Sequence, residues 1–244
     1  MRAILDRLAK LRGRDQLIIS NNRTFERFDY QTRLEDHSYV VFDTELTGLN
    51  PKKDEIISIG AVRIRNLQID LAETFHYYIK PENLDHTRAT LIHQITPQQL
   101  EEAPPLATVL PMFLKFIEED LLVGHYVTID SAFLNRATRQ LYNGSVANPC
   151  LDTMRMAQIY KRTVLGDYHG SQQIADGRYN LQKLSGELNL PYFEAHDALE
   201  DALQTAYLFI FLAKKLHKAG IKTIREVFSA GKEISMSTKV PDGV

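Results

Sequence analysis

The apolar positions in the first part of the chain predict a set of β-strands. Tyr39–Asp43 is a short apolar run rich in β-forming residues, and it ends at the turn-like segment 47–51. Ile56–Arg65 and Leu71–Ile79 have the composition of two further strands, and Leu121–Gly124 has that of a fourth. The first three are expected to form a meander that opens a sheet.

Helical spacing of apolar residues is typical of the rest of the chain. Capping residues and prolines at helix starts support the assignment. Helices are predicted from Thr96, over Pro105–Glu119 with a kink or a late start caused by Pro111, and over Thr128–Tyr142, Asp152–Arg162, Asn180–Asn189 and Asp197–Ala219. The Gly-rich, polar segment 164–179 is expected to be a loop. Strands followed by helices mixed with a strand predict an α/β fold with a mixed sheet.

The two ends of the chain differ in pattern from its middle. Residues 1–14 have the spacing of a short amphipathic helix, and the polar stretch that follows makes 1–37 an N-terminal extension. Residues 38–219 form the main domain. Residues 220–244 are a C-terminal extension whose tail, from Gly231, is expected to be disordered.

Charge and composition limit the class of protein. Residues 1–14 and 214–244 each carry a net charge of +4, which leaves −10 for 15–213. Such an acidic body either avoids nucleic acid or uses its acids to hold cations, with basic ends that attract an anion. A solvated charged surface is the alternative interpretation of both ends. Cys150 is the one cysteine, so no intrachain disulfide forms. No run of about 18 apolar residues predicts a membrane span, and the charged N-terminus does not resemble a signal peptide, so a cytoplasmic location is expected.

An acidic pair follows the first predicted strand. In Asp43-Thr44-Glu45, the residues two apart point to the same face of a strand. The two carboxylates therefore lie side by side and repel unless a cation sits between them. Hard divalent ions such as Mg²⁺ prefer oxygen ligands of this kind. A surface turn is the alternative interpretation.

A third acid stands near the start of a predicted helix. Asp130 shares its helix face with Phe133 and Leu134, where an unpaired carboxylate is costly to bury. An acid favoured in the first helical turn by the helix dipole is the alternative.

A histidine and a fourth acid flank another helix start. Asp197 is the predicted N-cap of a helix that begins at Ala198, with Glu200 at capping-box spacing. His196 then lies on the preceding loop and Asp201 lies one turn inside the helix, so both can reach one site. Pairing of His196 with Glu200 on a continuous helix is the alternative.

These four acids and one histidine together predict a metal site. Four carboxylates are enough for two divalent ions at roughly 4 Å, which stabilise the attacking and leaving oxygens of a phosphoryl displacement. A histidine that titrates near neutral pH suits proton abstraction from the attacking water. Zinc is disfavoured because Cys150 is alone and no histidine pair has ligand spacing.

The same residues resemble a known family, the DnaQ-like exonucleases similar to the proofreading epsilon subunit of bacterial DNA polymerase III, of the type with four acids and a histidine. The segments that resemble its first, second and third motifs are 43–48, 124–130 and 196–201. Three further segments, 92–96, 151–153 and 180–184, match family segments in the expected order. The match covers about residues 38–213, so 38–219 is expected to be the exonuclease domain.

The resemblance implies an RNase H-like fold, a mixed sheet flanked by helices, that holds two Mg²⁺ or Mn²⁺ ions. It makes Asp43, Glu45 and Asp201 ligands, Asp130 a ligand or a holder through water, and His196 the general base. It also implies that Thr44, Leu46, Ile92 and His93 cradle the terminal nucleotide, with ordinary packing as the alternative for Leu46 and Ile92.

Three positions depart from the family pattern. Leu46 stands where the family often has Thr, Gln94 where it often has Gly, and Tyr126 where it usually has Asn. None of them removes an acid or the histidine. They are expected to alter the fit of the terminal base or sugar.

The predicted activity is hydrolysis of the terminal phosphodiester of single-stranded DNA, from the 3′ end, with release of nucleoside 5′-monophosphates. A 3′→5′ exoribonuclease of the same fold is one alternative. A non-catalytic nucleic-acid-binding or polymerase-docking module is the other, and retention of every acid argues against it. Residues 1–37 are a candidate attachment to a polymerase or another protein.

Overall fold

The computed structural model describes residues 15–82, 95–167, 177–193 and 197–237. The helix predicted over 1–14 lies outside these residues. No helix in the described part of the chain is long and apolar enough to cross a membrane.

In the described residues, five strands form one mixed sheet. They are β1 Tyr39–Leu46, β2 Ile56–Arg65, β3 Gln68–Tyr78, β4 Leu121–Gly124 and β5 Cys150–Asp152. Their order across the sheet is β3-β2-β1-β4-β5. β1, β2 and β3 pair antiparallel, as the predicted meander requires, whereas β4 and β5 extend the sheet in parallel with β1. The carboxyl ends of β1, β4 and β5 therefore meet at one edge.

The β2–β3 hairpin closes through two residues with left-handed backbone. Asn66 and Leu67 both have φ of 53°. Two positive φ angles in a two-residue loop are typical of a type I′ turn, which matches the twist of the strands it joins. Leu67 is unusual in this conformation, and it packs against a core cluster that includes Val62 and Ile64.

Helices cover both faces of the sheet. They are α1 Gln16–Phe25, α2 Pro97–Glu102, α3 Leu106–Ile117, α4 Thr128–Tyr142, α5 Thr153–Leu165, α6 Leu181–Glu187, α7 Ala198–Lys218 and α8 Ile224–Ser237, with a 3₁₀ turn at Leu34–Asp36. A Thr96 capping box followed by Pro97 begins α2, as its sequence predicted. Pro111 does not delay the start of α3. The helix begins at Leu106, and Pro111 lies inside it.

The alternation of β1 divides the core into two clusters. Tyr39 and Val41 belong to a cluster with residues of α5, α7 and α8, which we call the α7 face. Val40 and Phe42 belong to a cluster with residues of α1, α3 and α4, the α3 face. Because side chains two apart share a face, the next positions, Asp43 and Glu45, continue the α7 face.

Three elements were missed by sequence analysis. β5 has three residues, too few for a periodicity signal, and it includes Asp152, which was assigned to the following helix. α1 lies partly in the segment interpreted as irregular, and one of its side chains, Ile18, is fully buried. The prediction of disorder from Gly231 is wrong for 231–237, because α8 continues to Ser237. α8 forms because Ile224 and Val227 are buried on the α7 face.

Candidate active site

Two carboxylates stand at the carboxyl end of β1. β1 extends past the predicted limit of Asp43 and ends at Leu46, so Asp43 and Glu45 are both strand residues. The apolar residues before them are buried, while both acids are half-buried. On the α7 face, Val41 is therefore the last buried apolar residue of β1, and the two acids follow it on that face at the end of the strand.

A third carboxylate comes from α7. The helix begins at Ala198, and Asp197 is its N-cap, accepting hydrogen bonds from the backbone N–H groups of Leu199 at 3.0 Å and Glu200 at 3.1 Å. This start agrees with the capping prediction. It places Asp201 in the first turn, on the side that faces the sheet.

Carboxylate oxygens of Asp43, Glu45 and Asp201 lie within 4.8 Å of one another. Burial is the largest cause of raised pKa values here. Burial, followed by the charges of Asp130, Asp201 and Glu45, raises the pKa of Asp43 well above its ordinary value. Burial, followed by the charges of Asp201, Asp197 and Asp130, raises the pKa of Glu45 to about 8. Such a cluster favours either protons or cations.

Asp130 lies beside this cluster but on the α3 face. It is 7% exposed and accepts two hydrogen bonds from Thr44, from the backbone N–H at 3.1 Å and from Oγ1 at 2.5 Å. Burial raises the pKa of Asp130 to about 6, although the Thr44 hydroxyl and N–H oppose that shift. Its charge raises the pKa values of both Asp43 and Glu45, so it belongs to the same electrostatic system.

Gly60 lets α7 approach the sheet beside the acids. It pairs with Asp43 across β1 and β2. A Cβ placed on Gly60 would lie 2.1 Å from backbone atoms of Ala198 and Leu199. The first turn of α7 therefore contacts the strand backbone directly. A lone glycine inside a strand pattern is the sequence signal for such an approach.

Two more side chains lie against the start of α7. Gln182 of α6 donates from Nε2 to Oδ1 of Asp201 at 3.2 Å. His76 of β3, the neighbour of Gly60, brings Nε2 to 3.6 Å from Oδ2 of Asp197. Both contacts join residues far apart in sequence, so the sequence carried no signal for them.

His125 joins the end of β4 to the segment before α6. Its Nδ1 lies 2.8 Å from Oγ1 of Thr153, and its Nε2 lies 2.7 Å from the carbonyl oxygen of Tyr179. Burial lowers the pKa of His125 to about 4, so the ring is neutral. Because a carbonyl can only accept, Nε2 carries the proton. The adjacent Asn180 caps α6, the helix that carries Gln182.

The remaining predicted site residues are placed in part. Thr44 is buried and bonded to Asp130, and Leu46 packs against the apolar cluster of the α3 face. His196, Ile92 and His93 lie outside the described residues. The structure thus brings three of the four predicted acids to within 4.8 Å of one another and places the fourth, Asp130, beside them on Thr44. The roles of the acids, of the histidine and of the nucleotide contacts stay predictions.

The donor set suits hard divalent cations. All three clustered groups are carboxylates, which Mg²⁺ and Mn²⁺ prefer, and their mutual repulsion is relieved by positive charge. The arrangement, a mixed sheet with acids at the end of its central strand, has the architecture of the predicted RNase H-like fold. The sequence profile of the RNase_T family, described as Exonuclease, matches residues 40–209. The chain belongs to this exonuclease family, and its DnaQ-like character was predicted from its motifs.

The curated relatives are much longer proteins. The PolC-type DNA polymerase III of Thermotoga petrophila is 32% identical over 198 residues, which cover 81% of this chain and 13% of that protein. The PolC-type DNA polymerase III of Staphylococcus aureus is 30% identical over 195 residues, which cover 80% of this chain and 12% of that protein. The chain thus spans about an eighth of the length of these relatives.

Solved structures share the fold at low identity. Exonuclease X in complex with 5′ overhanging duplex DNA aligns with a TM-score of 0.56 at 20% identity, covering 79% of this chain and 99% of that one. E. coli Exonuclease I in complex with a dA16 oligonucleotide aligns with a TM-score of 0.64 at 19% identity, covering 82% of this chain and 45% of that one. The predicted RNase H-like fold is therefore confirmed.

Proposed function

We propose that this domain is a metal-dependent 3′→5′ exonuclease that hydrolyses the terminal phosphodiester of single-stranded DNA and releases nucleoside 5′-monophosphates. The observation that carries the proposal is the approach of Asp43, Glu45 and Asp201 to within 4.8 Å, with Asp130 on the far side of Thr44. A purely structural cluster of this kind would place several like charges together without any compensating cation.

Two divalent cations bound there, Mg²⁺ or Mn²⁺, would activate water and stabilise the leaving oxygen. Asp43 and Glu45 would hold them from β1 and Asp201 from α7, with Asp130 as a ligand or a holder through water. Thr44 favours the ionised form of Asp130 by donating to it, against the burial that raises the pKa of Asp130. The general base would be His196, which immediately precedes the N-cap of α7.

DNA is the proposed substrate because of what related proteins bind. E. coli Exonuclease I has been solved with a dT13 and with a dA16 oligonucleotide, and the curated relatives are DNA polymerases. Thr44, Leu46, Ile92 and His93 are the proposed contacts of the terminal nucleotide. Attachment to a polymerase through 1–37 and a cytoplasmic location stay predictions.

The test is degradation of single strands labelled at the 3′ or the 5′ end, DNA and RNA in parallel, with Mg²⁺, Mn²⁺ or EDTA. We expect metal-dependent release of mononucleotides from the 3′ end. Asp43→Asn should abolish it because the variant removes a ligand at nearly constant shape. Glu102→Gln, an equal charge change at the exposed end of α2, is the matched control and should remain active.

Other outcomes assign the domain differently. Faster release from RNA would replace DNA by RNA as the substrate and favour the exoribonuclease. Release from the 5′ end would contradict the proposed direction. Binding of strands without cleavage under any metal would refute the enzyme and leave the docking module.

A further inference from the structure

A groove of about 750 Å³ runs along α4 beside the acidic site. It lies between α4 and the segments at the carboxyl ends of β1 and β5, at the same sheet edge as Asp43. Its polar lining includes Lys52, Ser131, Asn135, Arg136, Arg139 and Arg155. Among the described residues that line it, none is aromatic.

The groove is cationic within an acidic body. Four of the described side chains that line it are basic, and one, that of Asp152, is acidic. In the described part of the chain, none of these four bases forms a salt bridge. Arg63 and Arg65, on the opposite edge of the sheet, are both paired with acids. The positive charge of the groove is therefore available to an outside anion.

The hydrogen bonds of the four bases show that one of them has a structural role and that the other three are candidates for binding an anion. Arg136 donates from Nη1 to the carbonyl oxygens of Pro51 and Asp54, so it braces the loop after β1. Arg139 bonds Oγ of Ser145, and Arg155 bonds Oε1 of Gln158, both neutral groups. Lys52 is exposed on the same loop. Arg155 also interacts electrostatically with Asp152, so the described lining, with four bases and one acid, has a net positive charge.

The groove continues from the acids. Asp130 points from α4 towards Thr44, and the next residue, Ser131, faces the groove. The lining residues Thr128 and Arg139 are separated by about 16 Å along the helix, at 1.5 Å per residue. A strand whose end lies at the acids would therefore meet a run of cations over more than one nucleotide.

We propose that this groove binds the phosphodiester backbone of the substrate strand upstream of its terminal nucleotide, an inference that rests on the proposed function. Cations without aromatic rings contact phosphates rather than stack with bases, so the groove would hold the strand with little sequence preference. Lys52, Arg139 and Arg155 supply the phosphate contacts.

The test is a triple variant, Lys52→Gln/Arg139→Gln/Arg155→Gln, compared with Lys214→Gln/Lys218→Gln/Lys222→Gln. The control changes the same charge at exposed positions at or beyond the far end of α7. Binding of a labelled oligothymidylate of about twelve nucleotides is measured in EDTA, which prevents cleavage, between about 50 and 300 mM KCl.

Counterion release sets the expected loss of affinity and of salt dependence in the groove variant. Each single-strand phosphate contact contributes about 0.7 to the slope of log K against log salt, so the groove variant should lose about 2 from that slope. At about 0.15 M salt this corresponds to roughly fourfold per charge and roughly 50-fold in all. The loss of kcat/KM should be much larger on the long strand than on a dinucleotide, which is too short to occupy the groove.

The outcomes separate the groove from the reaction. Equal slopes and affinities in the two triple variants would overturn the groove inference, even if the wild type degrades DNA. Equal losses on the dinucleotide and the long strand would overturn it too, because the variant would then have damaged the acidic site. A groove-dependent slope without cleavage under any metal would keep the groove and refute the exonuclease.

Discussion

Replacement of Gly60 by alanine is the sharpest test of how this site is assembled. The added Cβ would lie 2.1 Å from backbone atoms of Ala198 and Leu199, and backbone cannot rotate away as a side chain can. Ordinary carbon contacts are about 3.5–4.0 Å, so the first turn of α7 has to move by more than about 1 Å. Asp201 moves with it, while Asp43, the partner of Gly60 in β1, stays in the sheet.

The size of the effect follows from metal geometry. Metal–ligand distances are held within about 0.2 Å, and a misplacement of about 1 Å in a catalytic group costs on the order of 100-fold in rate. We therefore expect Gly60→Ala to lower kcat/KM by about 100-fold or more and to weaken Mn²⁺ binding. Overpacking of this kind costs about 1–3 kcal/mol of stability, so the variant still folds if the domain has ordinary stability.

Three measurements check this expectation: mononucleotide release, Mn²⁺ affinity by calorimetry, and thermal melting in EDTA. Gly186→Ala is the matched control, because nothing lies within 4 Å of a Cβ placed on that glycine in α6. It should be neutral or stabilising by up to about 1 kcal/mol, with unchanged activity. Gly60→Ala with wild-type Mn²⁺ affinity and activity within threefold of wild type would refute the argument that Gly60 sets the position of α7.

Three further predictions concern the acids themselves. Burial, followed by the charge of Asp201, raises the pKa of Glu45 from 4.5 to about 8, so the folded metal-free protein holds a proton that the unfolded chain releases. The stability of the metal-free protein should therefore fall as pH rises from 4.5 to about 8, and more steeply in wild type than in Glu45→Gln. Thermal melts in EDTA measure this. Parallel curves of stability against pH for the two proteins would contradict the raised pKa. Thr44→Val removes the hydroxyl bonded to Asp130, so the pKa of Asp130 should rise above about 6 and the free energy of unfolding near pH 7 should fall by about 1.5–3 kcal/mol. Thr44→Ser keeps the hydroxyl and should leave the pKa and the stability unchanged. Chemical denaturation and the pH profile of kcat/KM check this. Gln182→Leu removes the amide that donates to Asp201 and should raise the Mn²⁺ dissociation constant, measured by calorimetry, by about 10–100-fold. An unchanged constant would show that Gln182 does not orient Asp201.

Local patterns predicted much of the fold. The strands from Tyr39 and Ile56, the cap at Asp197 and the helix from Thr128 follow from short-range preferences that neighbouring residues satisfy. The elements that were missed depend on partners elsewhere in the chain. β5 is a strand because it pairs with β4, and α8 contributes Ile224 and Val227 to a cluster that already contains Leu212 and Leu216.

The sequence by itself determined which chemical groups are present and which share a face. The spacing of Asp43 and Glu45 places them side by side on any strand, and the cap at Asp197 places Asp201 in the first turn of any helix that begins there. Tertiary structure alone decided how far apart these groups lie. Gly60 allows α7 to touch β2, and Gln182 holds Asp201 from a third element. Distances between elements depend on side-chain volumes at contacts distant in sequence, which a local pattern does not contain.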